Sequence, residues 1–372
     1  MSSRSKFASV LNDTRRVRSV SSQFRDFVAR ESFDYDPSVK WFPHHMAKAK
    51  VAIPKKLPTV DLLVEVRDAR LPVTSAQFEM DSMMRLGAGK HRIVVLNKQD
   101  LVPRTECRKS VSLLELQGTP VLPTSAINHS NVSEVLAFIA ENVHAKFKSL
   151  GVTVMVTGLP NTGKSTLLNA MRALAPNPAV NKAPAKTSGI PGSTQHVGRI
   201  QISLHHPKIY VLDTPGIMLT KSSVFEEDNA ADIMMKLAAV GAMPETVPGI
   251  SSLADYMLFT LNRLREFRYV DMLGLPAPSN DIDEVVLAVS RRINGGSSRI
   301  DHHAGTMNFI HMFQEGRLGK ICLDALPDVD SVMVQIAREK EFVFETEPPG
   351  PWGPQRYPID NTMSRAIYKP RA

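Results

Sequence analysis

The order of three loop motifs constrains this chain of 372 residues more than any other feature. An apolar run from Arg92 to Leu96 leads into Asn97-Lys98-Gln99-Asp100, an N-K-x-D segment. Only later comes Gly158-Leu159-Pro160-Asn161-Thr162-Gly163-Lys164-Ser165, which fits G-x-x-x-x-G-K-[ST], and after it Asp213-Thr214-Pro215-Gly216, which fits D-x-x-G. The ordinary arrangement of these parts puts the glycine-bounded loop first and N-K-x-D last. Joining the ordinary termini and reopening the chain ahead of the N-K-x-D strand produces the order found here. Domain termini often lie close together, so such a rotation can preserve the sheet.

The glycine-bounded loop has the flanks a phosphate site needs. Val152 to Val156 is a short β-branched run of the kind found in buried parallel strands, and Ser165 to Met171 reads as a helix start. A chance glycine-rich turn would lack both flanks. Gly158 and Gly163 let the backbone curl so that its N–H groups face phosphate oxygens, and the helix N-terminus adds its dipole. Lys164 would reach the β- and γ-phosphates, and the Ser165 hydroxyl would ligate Mg²⁺. Pro160, Asn161, Thr162, Gly163 and Thr166 complete the candidate nucleotide-binding set of this loop.

A second apolar strand, Ile209 to Leu212, would deliver Asp213 to the Mg²⁺ side, and Gly216 can place its N–H near a γ-phosphate without an intervening Cβ. Between the two motifs, Lys182 to Val197 is rich in Pro, Gly, Ser and Thr, the composition of a loop. Within it Thr194 is a candidate second hydroxyl ligand for Mg²⁺, weighed against a solvated loop threonine. A loop ordered only while a γ-phosphate is present would act as a switch. Because of the rotated order, the segment from Gly216 to Lys221 runs straight into whatever follows it. Nucleotide state can therefore pass to the C-terminal part by direct chain connection.

N-K-x-D selects the base. A carboxylate only accepts hydrogen bonds, and guanine offers two donors on one edge, N1–H and the N2 amine. Adenine offers an acceptor there and would leave Asp100 unpaired, which costs more than a missing contact. Asn97 would tie this loop to the phosphate loop, and the Lys98 stem would cover a face of the base. Val121 to Ala126 supplies a further base-side segment, in which Ser125 and Ala126 precede a helix and the Ala126 N–H could donate to guanine O6.

Composition adds bounds. The formal net charge is +8 and the sequence pI about 9.4, which favours an anionic partner, nucleic acid first. Cys107 and Cys322 have neither disulfide nor metal spacing. No apolar run is long enough to span a membrane, and peripheral association with an inner membrane stays open. Residues 1–35 are rich in Arg and Ser and poor in acid, with Phe7, Val10, Leu11 and Thr14 at helical spacing. That reads as a mitochondrial presequence, with a basic RNA-binding arm as the competing reading. Residues 36–222 would form the nucleotide domain and 223–344 a smaller helical one. In the helical part, Leu253, Met257, Leu258, Leu261 and Leu264 make one apolar stripe, and Ile282, Val285, Val286, Val289 and Ile293 another. Arg263, Arg265, Arg268, Arg291, Arg292 and Arg299 fall outside these stripes, as either a solvated basic face or an RNA-docking surface. Residues 345–372 form a Pro-rich tail.

Several segments together resemble a known family. Trp41-Phe42-Pro43-His44-His45-Met46-Ala47-Lys48-Ala49, Asp61 to Pro72 (D-L-L-V-E-V-R-D-A-R-L-P), Gly158 to Thr166 and Asp213 to Ile217 are similar to motifs of the circularly permuted YlqF/RbgA family of ribosome-assembly GTPases. The match spans about Trp41 to Leu219, extends more weakly through the C-terminal third, and is nearest to the family's mitochondrial form. The resemblance implies an α/β fold, a circularly permuted P-loop GTPase domain followed by a smaller α-helical domain that docks on large-subunit rRNA. It implies GTP and Mg²⁺ as ligands, with K⁺ as a further candidate through Asn161. The implied partners are the mitochondrial large ribosomal subunit and its rRNA, with other assembly factors open. The implied location is the mitochondrial matrix, with the inner membrane open. Ile217 follows D-T-P-G where many GTPases carry a glutamine that orients the attacking water, and Ile cannot hydrogen-bond water. The resemblance gives that role to His45 as the candidate catalytic residue. His44 stands where the family has Gly, so either histidine could act. The reading is an assembly GTPase that binds rRNA in its GTP state and leaves after hydrolysis. Its rivals are a GTP-regulated RNA-binding scaffold with negligible turnover and an assembly GTPase of another compartment.

Overall fold

The computed structural model describes residues 23–34, 57–76, 91–116, 118–143, 151–175, 198–203, 208–214, 230–293 and 301–333. Its sheet contains β1 (Leu62–Asp68), β2 (His91–Asn97), β3 (Val121–Pro123), β4 (Val152–Thr157), β5 (Gly198–Ser203) and β6 (Ile209–Asp213), in the spatial order β3-β2-β1-β4-β6-β5. Every neighbouring pair is parallel except β5 against β6. From β1 the chain steps outward through β2 and β3, then crosses to β4 on the other side of β1 and continues to β5 and β6. The direction changes between β1 and β4. At such a point the loops leaving the carboxyl ends diverge and open a crevice, where ligands of open α/β sheets bind. Both N-K-x-D, after β2, and the glycine-bounded loop, after β4, leave the sheet at this edge.

Alternation along the strands sorts the core into two layers. Leu62, Val64, Val66, Ile93, Val95, Val154 and Val156 face α2 (Val132–Asn142) and α3 (Lys164–Leu174), where they meet Val135, Ile139, Leu167, Leu168 and Met171. On the opposite face Val94 and Leu96 meet Cys107 and Leu114 of α1 (Arg104–Glu115). β1 is buried along its whole length, including Glu65, Arg67 and Asp68.

The C-terminal part is helical: α4 (Ala230–Ala239), α5 (Ile250–Arg263), α6 (Arg268–Leu273), α7 (Ile282–Ile293) and α8 (His302–Gln314). Leu253, Met257, Leu258 and Leu261 of the first expected stripe are buried, as are Val285, Val286 and Val289 of the second. The terminal members depart from the pattern, since Leu264 is 48% and Ile293 46% exposed. Each stands at or just past the last turn of its helix. α7 and α8 approach closely at Gly305, where a Cβ would lie 2.3 Å from Ser290 Oγ and 2.9 Å from Val286 O. The helical core also takes in Leu71, which follows β1, and Leu159 of the glycine-bounded loop. Among the described residues no helix is long and apolar enough to cross a membrane.

Candidate nucleotide site

The glycine-bounded loop rests against the end of β1. Gly158 has φ 150°, and a Cβ there would lie 2.2 Å from Val66 O. Gly163 has φ 90° and precedes α3 with no side-chain cap, so the first amides of that helix, from Lys164, Ser165 and Thr166, point out of its N-terminus. Lys164 is buried, and its Nζ donates to Leu159 O at 2.7 Å; the Thr162 hydroxyl donates to the same carbonyl at 3.0 Å. The ammonium therefore lies back across its own loop. Ser165 and Pro160 fall in the same turn, with Ser165 half-buried in the opening turn of α3.

Asn97 joins three loops. Its Nδ2 donates to Thr162 O at 2.8 Å, and its Oδ1 accepts from Ala126 N–H at 3.0 Å and from the Thr124 hydroxyl at 3.3 Å. A Cβ on Gly163 would meet that same Nδ2 at 2.3 Å, so glycine at 163 is what lets the bridge form. Sequence reasoning assigned the Ala126 N–H to guanine O6. In the structure it is held by Asn97, and a base carbonyl would have to share or replace that acceptor. The Ser125 loop is closed on itself: Ser125 and Ser130 exchange backbone hydrogen bonds at 3.1 and 3.0 Å, and Asn128 Nδ2 donates to Ser125 Oγ at 3.1 Å.

Asp100 lies in the single turn Gln99–Leu101 that follows Lys98, whose φ is 63°. Its Oδ1 is buried and has no hydrogen-bond partner among the described residues. Desolvating a carboxylate oxygen without compensation is costly, and buried polar atoms are rarely left unpaired without a functional reason. A ligand edge carrying N–H donors would supply what the protein does not.

The structure adds a charge network around this loop that the motif reading did not identify. Asp68, at the end of β1, accepts from Arg70 Nε (3.0 Å), Arg70 Nη2 (2.8 Å) and Lys98 Nζ (2.9 Å). Burial by itself would raise the Asp68 carboxyl, but Arg70 and Lys98 outweigh it and hold the group well below the usual carboxylate range. Burial lowers the Lys98 ammonium more than Asp68 restores it. Arg70 is 1% exposed and turns its remaining donor, Nη1, to Gln314 O at 3.1 Å, at the end of α8. One turn along, Asp324 accepts from the Val73 and Thr74 amides (2.8 and 2.9 Å) and from the Thr74 hydroxyl (2.6 Å). Glu65 is shared between Arg67, at 2.7 Å from its Nε, and Arg92. Desolvation opposes its ionisation, yet the two guanidinium groups bring its carboxyl down to about 2. A signal for this network was present: opposite charges at alternate positions, Glu65 and Arg67, inside an otherwise apolar run must share one side of a strand.

The phosphate loop has its own tie to the helices. Asn161, at φ 58°, donates from Nδ2 to Gly241 O at 2.7 Å, just beyond α4. The amide end of this K⁺ candidate is thus committed to the helical part. Among the expected metal ligands, β6 ends at Asp213, whose backbone pairs with Val156, and the Thr214 hydroxyl donates to Val156 O at 2.7 Å. This places the start of D-T-P-G beside the strand that enters the phosphate loop. Thr194, Gly216, Ile217, His44 and His45 lie outside the described residues.

The expected basic face is partly engaged within the chain. Arg265 donates to Phe24 O (2.8 Å) and Arg25 O (3.0 Å) and lies over Phe267; Arg263 lies over Phe259; Arg292 donates to Met272 O. Arg291 is exposed, Arg268 is half-buried, and Arg299 lies outside the described residues.

Comparison with known proteins follows the same lines. A family model described as 50S ribosome-binding GTPase matches residues 153–268. The match starts on β4, so N-K-x-D at Asn97 precedes it. Mitochondrial ribosome-associated GTPase 1 of Xenopus tropicalis is 31% identical over 323 residues, covering 80% of this chain and 99% of that protein. Mitochondrial GTPase 1 of Schizosaccharomyces pombe is 31% identical over 339 residues, covering 84% and 98%. The GNP-bound crystal structure of YlqF from T. maritima aligns with 76% of this chain and 99% of its own, at 22% identity and a TM-score of 0.49.

Proposed function

We propose that this chain, which belongs to the family of the mitochondrial ribosome-associated GTPases and is a GTP hydrolase, serves the assembly of the mitochondrial large ribosomal subunit, binding rRNA in its GTP state and leaving after hydrolysis. The observation that carries the nucleotide reading is the buried Oδ1 of Asp100, which has no partner among the described residues and is held beside a phosphate loop to which Asn97 is bonded. The names of the relatives support the ribosomal and mitochondrial parts.

In this reading Asp100 takes the two guanine donors and Asn97 keeps base loop and phosphate loop in register. The Lys164 ammonium exchanges the Leu159 carbonyl for β- and γ-phosphate oxygens, and the Gly216 N–H meets the γ-phosphate. Ser165, Thr194 and Asp213 would hold Mg²⁺, which would supply positive charge against the phosphates. Asn161 would share its oxygen with K⁺. His45 would orient the attacking water, the task Ile217 cannot perform. Residues 36–222 act as the GTPase domain and 223–344 as the docking domain. Two contacts support nucleotide-dependent docking: Asn161 to Gly241, and Arg70 to Gln314. Each gives a nucleotide loop a route to the helical domain besides the chain that follows Gly216.

The test is co-sedimentation with mitochondrial large subunits in the presence of GDP or a non-hydrolysable GTP analogue. Retention with the analogue and release with GDP is the expected result. Equal retention with both would remove the nucleotide-gated cycle.

A further inference from the structure

We propose that residues 23–34 are a permanent part of the working protein, a clip on the helical domain, and that any removal of a leader on import stops before Gln23. This rests in part on the mitochondrial reading above.

The clip is anchored at every third residue. Phe24 and Phe27 stand edge-on to the buried ring of Phe267, with centroids at 5.9 and 5.6 Å. Arg30 grips the Asp255 carboxylate with both terminal nitrogens, at 2.6 and 3.0 Å, and lies over Phe259. Phe33 stands edge-on to Tyr256 at 5.4 Å. Phe24 to Phe27 is a turn, closed by the Phe27 N–H donating to Phe24 O at 3.3 Å, and Phe27 to Arg30 is neither helix nor strand. The backbone is held as well: Asn280 donates to Val28 O at 2.9 Å, and Arg265 donates to two carbonyls of the clip. The anchors come from α5, the start of α6 and the turn before α7. Removing the clip would bare Phe259, Tyr256 and Phe267 together and leave Asp255 without its cation.

Composition changes at the same place. Residues 1–22 carry five basic side chains and one acid, Asp13; residues 23–34 carry two basic side chains and three acids, Asp26, Glu31 and Asp34. Import leaders are poor in acid. The leader chemistry thus ends just ahead of Phe24, the first of these anchors.

The test uses the full chain with a C-terminal tag, purified from mitochondria, its N-terminus read by peptide mass spectrometry. The expected N-terminal residue is Gln23 or one ahead of it, with unprocessed chain included. A dominant N-terminus beyond Gln23 overturns the proposal. In parallel, full-length Phe27→Ala/Arg30→Ala should lose its fold or melt roughly 5 °C or more below wild type. Val28→Ala, at a residue 77% exposed, should melt with wild type. A double variant that also melts with wild type overturns the clip whatever the compartment. Protein found only outside mitochondria, with a destabilised double variant, would sink the mitochondrial reading and leave the clip standing.

Discussion

Asp100→Asn is the sharpest perturbation the site offers. Among the described residues nothing bonds to the buried Asp100 Oδ1, so the substitution should leave the thermal midpoint level or slightly raised. The effect should fall on the ligand. Each hydrogen bond to a charged group contributes about 1.5–3 kcal/mol, and guanine presents two donors. Losing both is worth about 3–6 kcal/mol, a fall in GDP and GTP affinity of roughly 100- to 20,000-fold. Xanthine has a carbonyl in place of the N2 amine, which the new amide can donate to, so xanthine nucleotides should gain affinity. Fluorescent-nucleotide titration of both proteins with guanine and xanthine diphosphates, alongside a melting curve, makes the comparison. A variant that folds and binds GDP as wild type does would refute the base-reading assignment.

Three further outcomes follow from the same geometry. Gly163→Ala should weaken GTP binding more than tenfold, because its Cβ would meet Asn97 Nδ2 at 2.3 Å and its φ of 90° suits glycine; equilibrium titration checks it. Glu65, drawn from 4.5 to about 2, should contribute about 3 kcal/mol of stability that is fully present above pH 4.5 and lost as pH falls toward 2. Urea unfolding across that range should show a slope that Glu65→Gln reduces, with Asp68 supplying part of what remains. His45→Ala should keep GTP and subunit binding yet lose most subunit-stimulated turnover, with a smaller loss for His44→Ala; single-turnover kinetics of both variants decides which histidine acts.

Much of the sheet edge was legible because its motifs sit where the chain leaves a strand. Val152–Thr157 and His91–Asn97 are β-branched runs whose loops carry short-range signatures, and the rotated order of those loops matches the crossover between β1 and β4. Less legible were contacts made by residues far apart in sequence. Nothing local to Arg70 announces that it reaches Gln314, nor does Asn161 announce Gly241, since each acceptor is a backbone carbonyl whose position depends on helix packing. Arg265 shows the opposite hazard. Its position outside the apolar stripe suggested a face turned to RNA, but a guanidinium also binds carbonyls of its own chain, and here it holds the N-terminal clip. Leu264 and Ile293 were placed on buried stripes because periodicity carries no information about where a covering neighbour stops.

The central claim, a GTP-hydrolysing factor for the mitochondrial large ribosomal subunit, is tested most directly by GTP turnover of the purified chain. It should be measured with and without mitochondrial large subunits, in K⁺ and in Na⁺. The account predicts slow turnover alone, clear stimulation by the large subunit, and higher rates in K⁺. Turnover that the large subunit leaves unchanged, in a protein that binds GTP normally, would contradict it.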